Sequence, residues 1–179
     1  MIIDATHVKE LIHLIHLGQR GEDTFLELKG VAKNNYKVNG DNFAKELSSF
    51  ANTRGGHIFL GVEDDGTVSG IGNGQQADAL MRQVTQICQD KMQPPIVTTL
   101  SRVVVEEKSI LVVEVPGFSP HRPYSVNGVF SIRDGSQSRP ALGHELRRLL
   151  ESENFHYDER PIQGSSMDDL DTSIFQSFC

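Results

Sequence analysis

Tryptophan is absent, cysteine is limited to Cys88 and Cys179, and no apolar run approaches the length of a membrane span. Each shortage excludes something. Two distant cysteines make neither a zinc-ligand spacing nor a disulfide framework. The 179 residues must therefore be held by an ordinary hydrophobic core, and at this length roughly 70% of the unfolded chain's surface can be buried. Apolar runs such as Ile58 to Leu60 and Val103 to Val105 fall far short of the roughly 20 residues that cross a bilayer. The first residues, MIIDATHVKE, lack a basic flank, an apolar core and a cleavage site, so they do not read as a signal peptide. These features predict a reduced, cytoplasmic protein with no membrane partner. A composition of 37% hydrophobic and 23% charged residues excludes collagen, coiled coil and wholesale disorder.

Excess positive charge is lacking too. The formal charge is −7, which at first argues against a polyanionic partner. The charge is unevenly placed, however. Residues 153–179 carry six acids against one base, a net of −5, leaving −2 for the other 152 residues. Two segments are basic. Lys29, Lys33, Lys37, Lys45 and Arg54 oppose only Asp41 and Glu46 between residues 28 and 54, and Arg122, Arg133, Arg139, Arg147 and Arg148 oppose only Asp134 and Glu145 between 119 and 148. Arginine forks in loops beside glycine suit phosphate contacts, with Gly135 and Ser136 offering backbone N–H groups. A solvated charged face is the other reading.

Periodicity places the elements. Val8, Leu11, Ile12, Leu14 and Ile15 recur at helical spacing from about Thr6 to Leu17, ahead of Gly18. Thr24 to Lys29 alternates, with Leu26 and Leu28 on one side and Phe25, Glu27 and Lys29 on the other, which reads as a strand with a functionalised face. A polar loop leads to a helix capped by Asp41 and carrying Phe43, Leu47 and Phe50. HIFLGV, continuously apolar and bounded by glycines, reads as a central strand covered on both faces. Asp65-Gly66 predicts a tight turn with Thr67 to Ile71 pairing back. A long helix over residues 75–92 stops at Pro94 and Pro95. Strands follow over Val97 to Glu106 and Ser109 to Val115, and then a hairpin about Asn127-Gly128. The stretch DGSQSRP reads as a loop before a helix from Leu142 to about Ser152. Hairpins among interleaved helices predict an α+β fold with a mixed, largely antiparallel sheet and about four packing helices. Beyond residue 152 the pattern decays into an acidic linker, followed by a helix start bearing Leu170, Ile174, Phe175 and Phe178. This reads as the truncated front of a downstream region, with a short helix docking on the domain as the other reading.

Motifs for common chemistries fail on inspection. The glycines from Gly61 to Gly74 precede no Lys-Ser or Lys-Thr pair, so no lysine is placed for a nucleotide's phosphates. His13 and His16 sit three apart on one helix with no third ligand nearby, which favours a solvated or partly buried pair over a metal site. The acids are more suggestive. If the strands of Glu27 and HIFLGV are neighbours, Glu22, Glu27 and the run Glu63-Asp64-Asp65 converge at one sheet edge, the oxygen-rich setting that magnesium or manganese prefers. A plain turn at Asp64-Asp65 with Glu22 facing water is the alternative.

Three stretches in order, GEDTFLELKG, SSFANTRGGHIFLGVEDDGTVSGIG and RPYSVNGVFSIRDGSQSRPA, resemble the signatures of the Schlafen/AlbA-type domain over about residues 6–152. The resemblance implies a mixed α/β domain that contacts nucleic acid. It also implies a place at the front of a bacterial transcription-regulator-like or RecG-like protein. In the vertebrate Schlafen branch a related fold cuts tRNA and rRNA through three acids, which fall here on Glu22, Glu27 and Asp64, with Lys29 as the accompanying base. That branch joins two lobes, whereas this chain has one short copy. A homodimer would supply the second.

The resulting expectations are a domain over residues 1–152 and an appended segment over 153–179. The leading function is DNA or RNA binding, probed through phosphates by Lys29, Arg54, Arg122, Arg133 and Arg139, with no cofactor required. The rivals are a magnesium- or manganese-dependent endoribonuclease using Glu22, Glu27 and Asp64, and a dimerisation or docking scaffold for the downstream region.

Overall fold

A computed structural model describes residues 4–151. The linker and helix start expected over 153–179 lie outside the described residues. The first helix, α1 (Ala5–His16), begins where the Asp4 side chain accepts a hydrogen bond from His7 N–H at 2.8 Å. Strand β1 (Leu26–Lys29) follows, then α2 (Gly40–Asn52) and β2 (Gly56–Leu60). The cap of α2 is Asn39, whose side chain accepts from Asn42 N–H, so Asp41 is a first-turn residue and not the cap. The long helix α3 (Gly74–Asp90) starts on a capping box made by Asn73 and Gln76.

Strands β3 (Thr99–Val105) and β4 (Lys108–Val115) form a hairpin, and the first sheet runs β1-β2-β4-β3. Strand β1 pairs with β2 in parallel, while the β2/β4 and β4/β3 pairs are antiparallel. Helix α1 covers one face, packing Val8, Leu11, Ile12 and Ile15 against Leu26, Leu28, Phe59, Ile110 and Val112. Helices α2 and α3 cover the other, where Phe43, Leu47, Leu80 and Val84 meet Ile58, Leu60, Leu111 and Val113. The alternating residues of β2 and β4 thus enter two cores, which is why both strands read as unbroken apolar runs. Each fully buried Leu, Ile or Phe contributes up to about 1.5–3 kcal/mol.

A second, antiparallel sheet joins β5 (Ser125–Val126), β6 (Val129–Asp134) and β7 (Gln137–Pro140) and lies on α2. Strand β7 corrects the loop expected for DGSQSRP: Gly135, at φ +60°, turns the chain back so that Gln137 pairs with Asp134. Pairing after Asp65-Gly66 is also shorter than expected. Only Val62 and Val68 bridge, because Ile71 N–H turns away to the Ser109 carbonyl. The last element is α4 (Gly143–Glu151). Among the described residues, four α-helices and two sheets of mixed and antiparallel strands make this an α+β fold. Among the described residues, no helix is long and apolar enough to cross a membrane.

Candidate functional site

The parallel pairing of β1 with β2 sets Glu27 and the turn after β2 near Glu22, which feels the charges of Glu27 and Asp64. Half-buried Glu22 accepts a hydrogen bond from Leu28 N–H at 2.8 Å. Its carboxyl pKa is raised, first by burial and then by the charges of Glu27 and Asp64, against the opposing pull of the Leu28 hydrogen bond and Arg133. Asp64 itself is exposed at the turn.

Glu27 is already matched by cations. Its Oε2 lies 2.6 Å from Arg133 Nη2, in an ion pair whose geometry is not that of an aligned hydrogen bond, and its Oε1 lies 3.6 Å from Lys29 Nζ. Lys29 also donates to Glu46 Oε1 at 2.9 Å. Burial alone would lower the Lys29 pKa, but Glu46 and then Glu27 outweigh it and hold the ammonium above its ordinary value. Burial raises Glu46, whose partner Lys29 pulls the other way.

This arrangement does not fit a magnesium or manganese ion. A guanidinium holds the place beside Glu27 that a cation would take. Among the described residues, no group of three or more His, Cys, Asp or Glu is placed to hold a metal. The exposed His13 and His16 likewise form no such group.

Arg133 is the centre of this region, and its role differs from the phosphate contact expected for it. Its side chain is 1% exposed. From β6 it donates to the Asp23 carbonyl through Nε and Nη2 and to the Leu26 carbonyl through Nη2, and its guanidinium lies 4.5 Å from the Phe50 ring centroid. It therefore fastens the second sheet to β1 and α2. Asn52, in the FANTRGG stretch, does the same from α2: it donates to the Tyr124 and Ser131 carbonyls and accepts from Tyr124 N–H. Neither role was evident from spacing, since the partners lie 72 to 110 residues away.

The exposed cations gather elsewhere. Gly55, at φ +73°, ends α2 by donating to the Phe50 carbonyl and turns Arg54 outward. The chain returns past it at Gly117, where a Cβ would overlap the Arg54 carbonyl. This close approach sets Phe118 and Arg122 beside Arg54, and α4 adds Arg148 and Leu149. They line a cleft of about 380 Å³.

Glu145, also lining this cleft, is held in an ion pair. Arg139 grips it with two hydrogen bonds of 2.8 Å and binds Asp134 through Nε at 2.8 Å. The Arg139 hydrogen bonds pull the Glu145 carboxyl down to about 2. Among the described residues, Arg54, Arg122 and Arg148 form no ion pair. Of the five bases selected from sequence, Arg54 and Arg122 thus share the cleft, Lys29 is held in the buried cluster, Arg133 belongs to that cluster while also forming part of the cleft wall, and Arg139 is paired with Glu145 at the cleft's rim. Arg148 was visible only as one charge in a basic segment. Phe118 left no sequence signal, because an isolated aromatic in a loop does not announce its exposure.

Fold and site together define a class: an α+β domain in which a small antiparallel sheet is pinned to the main sheet by a buried arginine, with an arginine-lined cleft at the junction. The chain belongs to the Schlafen, AlbA_2 family, whose family model matches residues 22–142. A comparison with curated proteins finds no match. Among solved structures, the chain is similar to the N-terminal domain of a RecG-related protein from Nitrosomonas europaea, at 22% identity and a TM-score of 0.53. That match covers 80% of this chain and 97% of the other. It is also similar to the DIP2311 protein from Corynebacterium diphtheriae, at 19% identity and a TM-score of 0.49, over 73% of this chain. The chain spans 24% of that protein's length.

Proposed function

We propose that this domain binds nucleic acid through the cleft between α2, the loop after β4 and α4. The observation that carries the reading is the grouping of Arg54, Arg122 and Arg148 without carboxylate partners while Glu145, the acid that lines the cleft, is paired with Arg139. Guanidinium groups so placed present donors in the fork geometry that phosphates accept. Membership of the Schlafen, AlbA_2 family supports the same reading, and extends it to a DNA-binding module of a bacterial regulator that works beside a downstream domain. The endoribonuclease alternative draws less support, since Glu27 is committed to Arg133 and Lys29.

Three phosphate contacts imply a definite salt dependence. The slope of log K against log salt is about −2 on single strands and about −2.7 on duplex. Raising salt from about 50 to 200 mM then weakens binding about 20- to 40-fold. Fluorescence anisotropy with labelled oligonucleotides measures this. Binding that disappears in the Arg54→Ala/Arg148→Ala double variant supports the cleft. No binding at about 50 mM salt, or unchanged binding by that variant, overturns the proposal.

A further inference from the structure

The cleft contains one feature that phosphate binding does not use. Phe118 is 65% exposed, although it lines the cleft. Its backbone sits at φ +55°, a left-handed conformation uncommon for a bulky side chain. Burial of the ring does not compensate for that conformation. The Arg122 guanidinium lies over the ring at 5.0 Å from its centroid, so one face carries a cation and the exposed remainder is open. An exposed aromatic beside unpaired arginines is the arrangement on which single strands stack their bases.

We propose that the Phe118 cleft holds one unpaired nucleotide, its base against the open part of the ring and its flanking phosphates on Arg54, Arg122 and Arg148. The inference rests on the nucleic-acid reading above and narrows it to a single-stranded or locally unpaired ligand. In a duplex each base face is covered by its neighbours, so the ring has nothing to stack against. The cleft volume of about 380 Å³ falls near the lower end of the range of about 300–1,000 Å³ for small-ligand pockets, which suits a single nucleotide.

The absence of tryptophan makes a direct test available. Phe118→Trp introduces a sole tryptophan whose fluorescence is quenched when a base stacks on it. Titration with a short adenine-rich single strand is expected to quench it, and the same sequence as duplex is not. In parallel, Phe118→Ala is expected to weaken single-strand binding about 5- to 150-fold while lowering duplex affinity much less, through the lost support for Arg122 alone. Because the ring is largely exposed, both variants should retain the wild-type circular dichroism spectrum. Anisotropy that reports single-strand binding without quenching, or an equal loss on duplex, overturns the stacking inference and leaves the nucleic-acid reading standing. Wild-type protein that binds neither form overturns both.

Discussion

Replacing Arg133 with methionine tests whether the buried guanidinium holds the two sheets together. Methionine keeps an unbranched apolar stem near Phe50 but removes the charge and every donor. Glu27, whose side chain is 12% exposed, is then left with Lys29 at 3.6 Å, and Lys29 is shared with Glu46. Breaking one partner of a buried ion pair costs about 3–5 kcal/mol. The carbonyls of Asp23 and Leu26 lose donors, and the contact with Phe50 is lost as well. These terms overlap with the ion pair and do not add in full, so about 3–5 kcal/mol stands for the whole. A domain has only about 5–15 kcal/mol of stability. With a urea slope of about 2 kcal/mol/M, the midpoint should fall by about 1.5–2.5 M. Adding Glu27→Gln removes the stranded charge, so Glu27→Gln/Arg133→Met should be more stable than Arg133→Met alone. A loss below about 1 kcal/mol, or strictly additive variants, refutes the reasoning.

Two further outcomes follow from the electrostatics. Glu22 titrates above the ordinary carboxylate value of 4.5 in the folded domain. The folded state therefore binds more protons than the unfolded one as pH rises from 4.5 through that raised value, and stability falls over this window. Glu22→Gln keeps an acceptor for Leu28 N–H and cannot ionise, so its urea midpoints should decline less with pH; parallel profiles would contradict the assignment. Arg139→Ala should release the Glu145 carboxylate into the cleft and weaken nucleic-acid binding several-fold, and adding Glu145→Gln should restore it. If the double variant stays weak in anisotropy, Arg139 contacts phosphate directly.

Much of the fold was legible because its signals are local. The glycine-bounded run of β2 and the alternation of β1 follow from which faces are covered, and both faces of β2 are. Strand β7 escaped notice because Gln137, Ser138, Arg139 and Pro140 lack β-branched residues and alternation; its pairing comes from the Gly135 turn and from β6. The candidate site divided along the same line. Strand order was enough to bring the charges of Glu27 and Asp64 within reach of Glu22. Which arginine would be buried was not legible, since Arg133 and Arg139 lie on opposite faces of one short hairpin whose second strand left no sequence signal, and tertiary packing covers only the face of Arg133. Arg148 required α4 to fold against the loop after β4.

The most direct test of the cleft is an NMR titration of the arginine Nε–Hε signals with a short single-stranded oligonucleotide. Shifts largest at Arg54, Arg122 and Arg148, and smaller at the buried Arg133 in the cleft wall, are the expected result. Shifts that spare these three and cluster around Glu22 and Asp64, or along β3, would contradict the account.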